Sequence, residues 1–132
     1  MRSGKSDLRV PMEEDEFNRI KAAFERKGNI MVQSTDADRH LDNLDANAST
    51  IGSDIILFRS GSPPTRSEIF EELIHTSQNR TGRATGTNWV EMEIEAKQRL
   101  IRNQRVYRIP DLENADTLKH LNELIAFKQK GE

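Results

Sequence analysis

Phe17, Ile20 and Phe24 stand three and four residues apart behind Pro11 and the acidic turn Glu13-Glu14-Asp15-Glu16. That spacing predicts a helix whose first turn suits the positive end of its dipole, with Gly28 able to end it. Asn29 to Gln33 is a short apolar run that reads as a strand. Ser34 to Asp45 reads as a weaker helix on Leu41 and Leu44, and 47–52 as a turn. Asp54-Ile55-Ile56-Leu57-Phe58-Arg59 is a continuous apolar run of the kind found inside sheets, broken by the Gly, Ser and Pro residues of 60–64. Thr65 with Glu68 three residues on forms a capping-box pattern, and Ile69, Phe70, Leu73 and Ile74 make an apolar stripe on the helix behind it. Residues 79–88 read as a loop and Trp89 to Asn103 as a further amphipathic helix. Val106 to Ile109 reads as a short extended piece stopped by Pro110. A last helix, from Asp111 or Asp116, carries Leu118, Leu121, Leu124 and Ile125.

The order α-β-α-β-α-α-β-α predicts a small mixed α+β domain, a short sheet packed by amphipathic helices. Residues 1–10 are polar and glycine-containing and read as a flexible lead-in, leaving 11–130 as a single domain. Its 132 residues, only 34 % of them apolar, suffice for one modest core and exclude two full domains.

Charge and cysteine content narrow the chemistry. Twenty basic residues against 22 acidic ones give a formal net charge of −2, without the broad basic footprint of a dedicated nucleic-acid binder. The absence of cysteine removes disulfides, thiol catalysis and thiolate metal sites, so any nucleophile is a hydroxyl, a carboxylate or an activated water. No apolar run approaches the ~20 residues of a membrane span. Basic Met1-Arg2-Ser3-Gly4-Lys5 has no apolar segment behind it, so no cleavable signal peptide is visible.

The segment Glu71-Glu72-Leu73-Ile74-His75 stands apart from the apolar stripe. At about 100° per residue, Glu71, His75 and Glu72 fall at roughly 200°, 240° and 300° from Ile69, one patch opposite the stripe. Glu71 and His75, one turn apart, can ligate one ion, and Glu72 can address a water on it. A plain solvated helix face is the alternative. Glu93 lies within the apolar stripe of the following helix, where a carboxylate is costly unless paired or metal-bound. A metal held with Glu71 and His75 would partner it, and so would an arginine such as Arg80 or Arg83. Glu91, Glu95, Gln98 and Arg102 fall on the polar side of that helix and read as solvated.

Glu71-Glu72-Leu73-Ile74-His75 followed by Glu93-Ile94-Glu95-Ala96 resembles zincins of the glutamate-ligand type, which carry His-Glu-x-x-His on one helix and Glu-x-x-Ala on the next. The run from Pro64-Thr65-Arg66-Ser67 to Gln78-Asn79-Arg80-Thr81-Gly82 resembles the zincin-like metallopeptidase domains of bacterial polymorphic toxins. The likeness spans roughly residues 30–110 and is most specific over 64–103. It implies a zincin-like fold, one zinc ion held by Glu71, His75 and Glu93, Glu72 as general base, and a protein or peptide substrate. The strong strand at 54–59 would be the sheet edge that aligns it. It further implies a larger secreted parent protein, delivery into a target cell and a cognate immunity protein; composition and charge point to no membrane partner and argue against nucleic acid.

Glu71 departs from that pattern. A charged oxygen replaces a nitrogen ligand, which brings manganese or iron into range beside zinc and makes a bound water less acidic. Weak or lost peptidase activity follows as an expectation. A rival reading takes His75 with Gln78, Arg80, Thr81 and Arg83 as a metal-independent RNase centre. A third is a non-catalytic interaction domain. His40 and His120 read as surface residues, Trp89 and Tyr107 as core.

Overall fold

The computed structural model describes residues 9–131. The lead-in reading at 1–8 lies outside them. Arg9 is not loose, because its guanidinium makes a two-pronged contact with Glu68 at 2.7 and 2.8 Å.

The chain runs α1 (Glu14–Glu25), β1 (Ile30–Val32), α2 (Thr35–Leu44), β2 (Ala48–Ile51), β3 (Ile55–Phe58), α3 (Arg66–Arg80), α4 (Trp89–Arg102), α5 (Gln104–Tyr107) and α6 (Asp111–Lys130). This is an α+β architecture. β3 is the middle strand, parallel to β1 on one side and antiparallel to β2 on the other. Strand alternation sends Ile56 and Phe58 to one face and Leu57 to the other. The first face packs Met31, Phe17 and Phe24 of α1 and Ile69 of α3, with Phe17 edge-on to Phe58 at 5.9 Å. The second is covered by Ala37 and Leu41 of α2.

Local chemistry explains most element ends. Ser34 caps α2 by accepting from the Ala37 N–H, and Asp45 ends it in the left-handed region at φ 51°. Thr65 and Glu68 form the expected capping box at the start of α3. The last helix starts at Asp111, directly behind Pro110.

Two expectations fail. Residues 48–51, read as part of a turn, form β2, because β3 offers a second edge to a segment with too little hydrophobic alternation to declare itself. The 106–109 stretch is not extended: residues 104–107 make one helical turn, and Arg108 breaks it at φ 53°. Gln104 Nε2 then bridges Ile109 O at 3.1 Å and Asp111 Oδ1 at 2.9 Å, closing the bend into α6. Tyr107 stacks on Phe70 at 4.2 Å.

α3 lies between the sheet and α4. Its buried set therefore includes the expected Ile69 and Ile74 together with Ser67, Glu68, Glu71, Glu72, Thr76 and Gln78. Ile74, Ala96, Leu100 and Ile109 form a further apolar cluster behind it. Among the described residues, no helix is long and apolar enough to cross a membrane.

Candidate metal centre

Glu71 and Glu72 are both fully buried, so the solvated-face reading of this helix is wrong. The helix is covered on the side that faces α4 and β2 as well as on its apolar stripe. Charged groups in such a place require partners, and the surrounding elements supply them.

Glu71 turns toward α4, where Lys97 Nζ stands 3.1 Å from its Oε1. The same ammonium lies 3.1 Å from Glu93 Oε2. Glu93 in turn places Oε1 3.2 Å from His75 Nε2. Glu71, Lys97, Glu93 and His75 thus form a connected chain of ionisable groups that runs from α3 to α4 and back. Glu93 has the partner that its place on the apolar stripe demanded, and it is a lysine with a histidine, not Arg80 or Arg83. Lys97 escaped the sequence reading, although its position one turn beyond Glu93 is the available signal for an i, i+4 pair.

Glu72 faces β2. The Thr50 hydroxyl sits 2.9 Å from Glu72 Oε1 and 3.1 Å from the Glu72 carbonyl. One carboxylate or imidazole atom from each of Glu71, Glu72 and His75 lies within 4.8 Å of the others, a cluster able to hold a metal ion. Glu72, His75 and Glu93 also line a cavity of about 330 Å³, with Thr50, Trp89 and Met92 among its walls. The sheet edge at this cavity is β2, since β3 is paired on both sides; the expectation that the strong strand forms the edge is corrected accordingly.

His75 is anchored from behind. Its Nδ1 is 2.8 Å from Gln78 Oε1, and the Gln78 amide group reaches Met92 O and Glu95 Oε1, each at 3.0 Å. Burial pushes the His75 pKa down, yet the contact with Glu93 and the charge of Glu72 outweigh it, and the net direction is upward. Burial likewise pushes Glu93 up, while His75 and Lys97 hold its carboxyl down at about 2.

Of the residues in the rival RNase reading, Gln78 meets His75, while Arg80, Thr81 and Arg83 are turned to other partners. Arg80 donates to Ser53 O at 3.2 Å, the Thr81 hydroxyl is turned back on Ser77 O at 2.9 Å, and Arg83 is paired with Glu95. Glu95, expected to be solvated, therefore has two partners. Trp89, expected in the core, is 55 % exposed at the cavity wall. His40 is exposed, and His120 lies beside Asp116 at 3.7 Å, away from this cluster.

Residues 11–83, more than half of the chain, match the family model of the eCIS core domain. That span holds Glu71, Glu72 and His75 and ends before Glu93 and Lys97. The chain matches no curated protein and no solved structure.

Proposed function

The chain belongs to the eCIS core domain family, and from that premise we propose that it is a metal-dependent hydrolase of the zincin type, acting on peptide bonds as the effector domain of a toxin. The family takes its name from extracellular contractile injection systems, consistent with a toxin- or effector-associated domain. The observation that carries the chemistry is the convergence of Glu71, Glu72 and His75 within 4.8 Å, with Glu93 a further 3.2 Å from His75.

The donor set suits a divalent cation. Three carboxylates face one lysine and one histidine, so with all three ionised the five groups stay net negative even when His75 is protonated. Gln78 accepts from His75 Nδ1 and leaves Nε2 toward Glu93, the arrangement in which a histidine ligates through one nitrogen and is braced through the other. Glu71, His75 and Glu93 would hold the ion, zinc or, given the carboxylate excess, manganese or iron. A bound ion would polarise a carbonyl and acidify a water.

The protein's own residues supply the rest. Glu72 accepts the proton of the attacking water, and the Thr50 hydroxyl keeps its carboxylate aimed along β2. Lys97 offsets the second negative charge that Glu71 brings in place of a neutral histidine. Among the described residues β2 is an edge strand, and its outer side offers main-chain pairing to an extended peptide.

One observation favours a second reading. Lys97 already bridges Glu71 and Glu93, which suits a closed ion network in a non-catalytic interaction domain. Metal content by mass spectrometry separates the two, on protein purified without chelator or affinity nickel. The hydrolase reading expects about one equivalent in the wild type, lost in His75→Ala and Glu93→Ala. It further expects Glu72→Gln to keep the metal and lose peptide cleavage. No metal in the wild type after incubation with zinc, manganese and iron overturns it and leaves the ion network.

A further inference from the structure

We propose that the groove between α4 and α6 docks an acidic segment of an extended peptide, with carboxylates on alternate residues set against Arg99 and Arg102. That this segment belongs to a substrate rests on the hydrolase reading; the preference of the groove for carboxylates does not.

α6 packs along α4 and leaves a groove of about 530 Å³. Its charged walls are Glu91, Glu95, Arg99 and Arg102 of α4, Arg83 from the segment after α3, and Lys128 of α6. At about 3.6 residues per turn, the four α4 residues fall on one face of that helix. The acidic half of the face is already matched. Glu95 is paired with Arg83 and accepts from the Gln78 amide at 3.0 Å, and Glu91 lies 3.8 Å from Lys128. Those pairs occupy Arg83 and Lys128. Among the described residues, no carboxylate stands within ion-pair distance of Arg99 or Arg102.

Both arginines lie in the last turn of α4, where positive charge suits the helix dipole. The dipole accounts for their charge and not for their lying together in a groove. Like charges three residues apart on a helix repel, and carboxylates set against them relieve that repulsion. The groove carries four cations against two carboxylates, in a chain whose formal net charge is −2.

Spacing selects the ligand. Side chains three apart on a helix stand about 5–6 Å apart at Cβ. Alternate residues of an extended peptide point to the same side at a spacing of roughly 6.5–7 Å. A Glu-x-Glu pair therefore meets both guanidiniums. A nucleic-acid strand fits less well, because its unbroken row of phosphates would also meet Glu91 and Glu95. A peptide can place neutral residues there.

Met92 lines both this groove and the cavity of Glu72, His75 and Glu93. From Met92, Arg99 and Arg102 lie about 10 and 15 Å along α4. An extended peptide covers that distance in about three to five residues. The substrate class that follows is a peptide with an acidic pair about three to five positions to one side of the residue over Met92.

Fluorescence anisotropy on the whole chain, as purified, tests this with a short rhodamine-labelled serine–glycine peptide carrying one Glu-x-Glu pair. At low salt it is expected to bind about tenfold more tightly than its Gln-x-Gln counterpart, a difference that shrinks as salt rises. Arg99→Gln combined with Arg102→Gln is expected to bring the two peptides level. Arg39→Gln, at an exposed position on α2, is expected to leave the preference intact. Equal binding of the two peptides by the wild type, or an unchanged preference in the double variant, overturns the proposal. So does a labelled oligouridylate of matching length that binds the wild type more tightly than the glutamate peptide and is lost in the double variant. Should the double variant not fold, Arg102→Gln alone decides, since that side chain is exposed. The readout is binding, not cleavage: a chain that takes up no metal defeats the hydrolase reading, and the peptide preference judges the groove separately.

Discussion

Lys97 Nζ lies 3.1 Å from Glu71 Oε1, with 4 % and 0 % of the two side chains exposed. The glutamate that breaks the zincin-like pattern is thus matched, one helix away, by an ammonium. Removing one member of a buried pair strands the other's charge and typically costs about 3–5 kcal/mol. Lys97→Met is expected to lose stability in that range in urea unfolding. Combining it with Glu71→Gln is expected to cost less than the sum of the single changes. Simple additivity would mean that the two groups are not coupled.

The same pairing predicts how the site responds to repair. Glu71→His with Lys97→Met supplies the missing nitrogen ligand and removes the competing ammonium. Zinc is expected to bind this double variant at least about tenfold more tightly than the wild type, a gain of ~1.4 kcal/mol. Competition against a chromophoric chelator measures it, and equal or weaker binding contradicts the role assigned to Lys97.

Thr50 bears on rate. Its hydroxyl reaches Glu72 Oε1 at 2.9 Å, and a hydrogen bond to a charged group is worth about 1.5–3 kcal/mol. Thr50→Val is expected to lower kcat of peptide hydrolysis about 10–100-fold with metal content unchanged. An unchanged kcat would show that Glu72 needs no such support.

Glu16 contributes to acid stability away from the site. Hydrogen bonding to Arg66, then to Arg108, holds its carboxyl down at about 2 against an ordinary 4.5, although burial opposes the shift. A carboxyl depressed in the folded state contributes stability that is complete above its unfolded pKa and fades as pH falls toward the folded one. Thermal midpoints are therefore expected to drop between about pH 4.5 and 2. Glu16→Gln should flatten that part of the profile, and an identical profile in the variant refutes the assignment.

Trp89, the single tryptophan, gives the cavity its own reporter. Its ring is 55 % exposed and lies 6.0 Å from that of Phe127. Titrating peptides into the Glu72→Gln variant, which binds without turnover, is expected to shift Trp89 emission to the blue. Peptides that shift it equally in a variant lacking the β2 contact, such as Ser49→Pro, are not occupying the proposed groove.

The sequence by itself determined the helices with strong apolar stripes, the Thr65–Glu68 capping box and the central strand Ile55–Phe58, because these depend on contacts between near neighbours in the chain. It also placed Glu71, Glu72 and His75 on one helical patch, since about 3.6 residues per turn fixes that geometry without any partner. Only the tertiary structure decided what the patch faces. Ala48–Ile51 became a strand when β3 offered an edge, and the two glutamates were buried when α4 and β2 closed over α3. Glu93 acquired His75 as a neighbour through that same packing, and Lys97, already one turn from Glu93 on α4, was brought against Glu71. Burial and charge pairing arise between segments far apart in sequence, and local periodicity carries no record of which segment arrives at the open side of a helix.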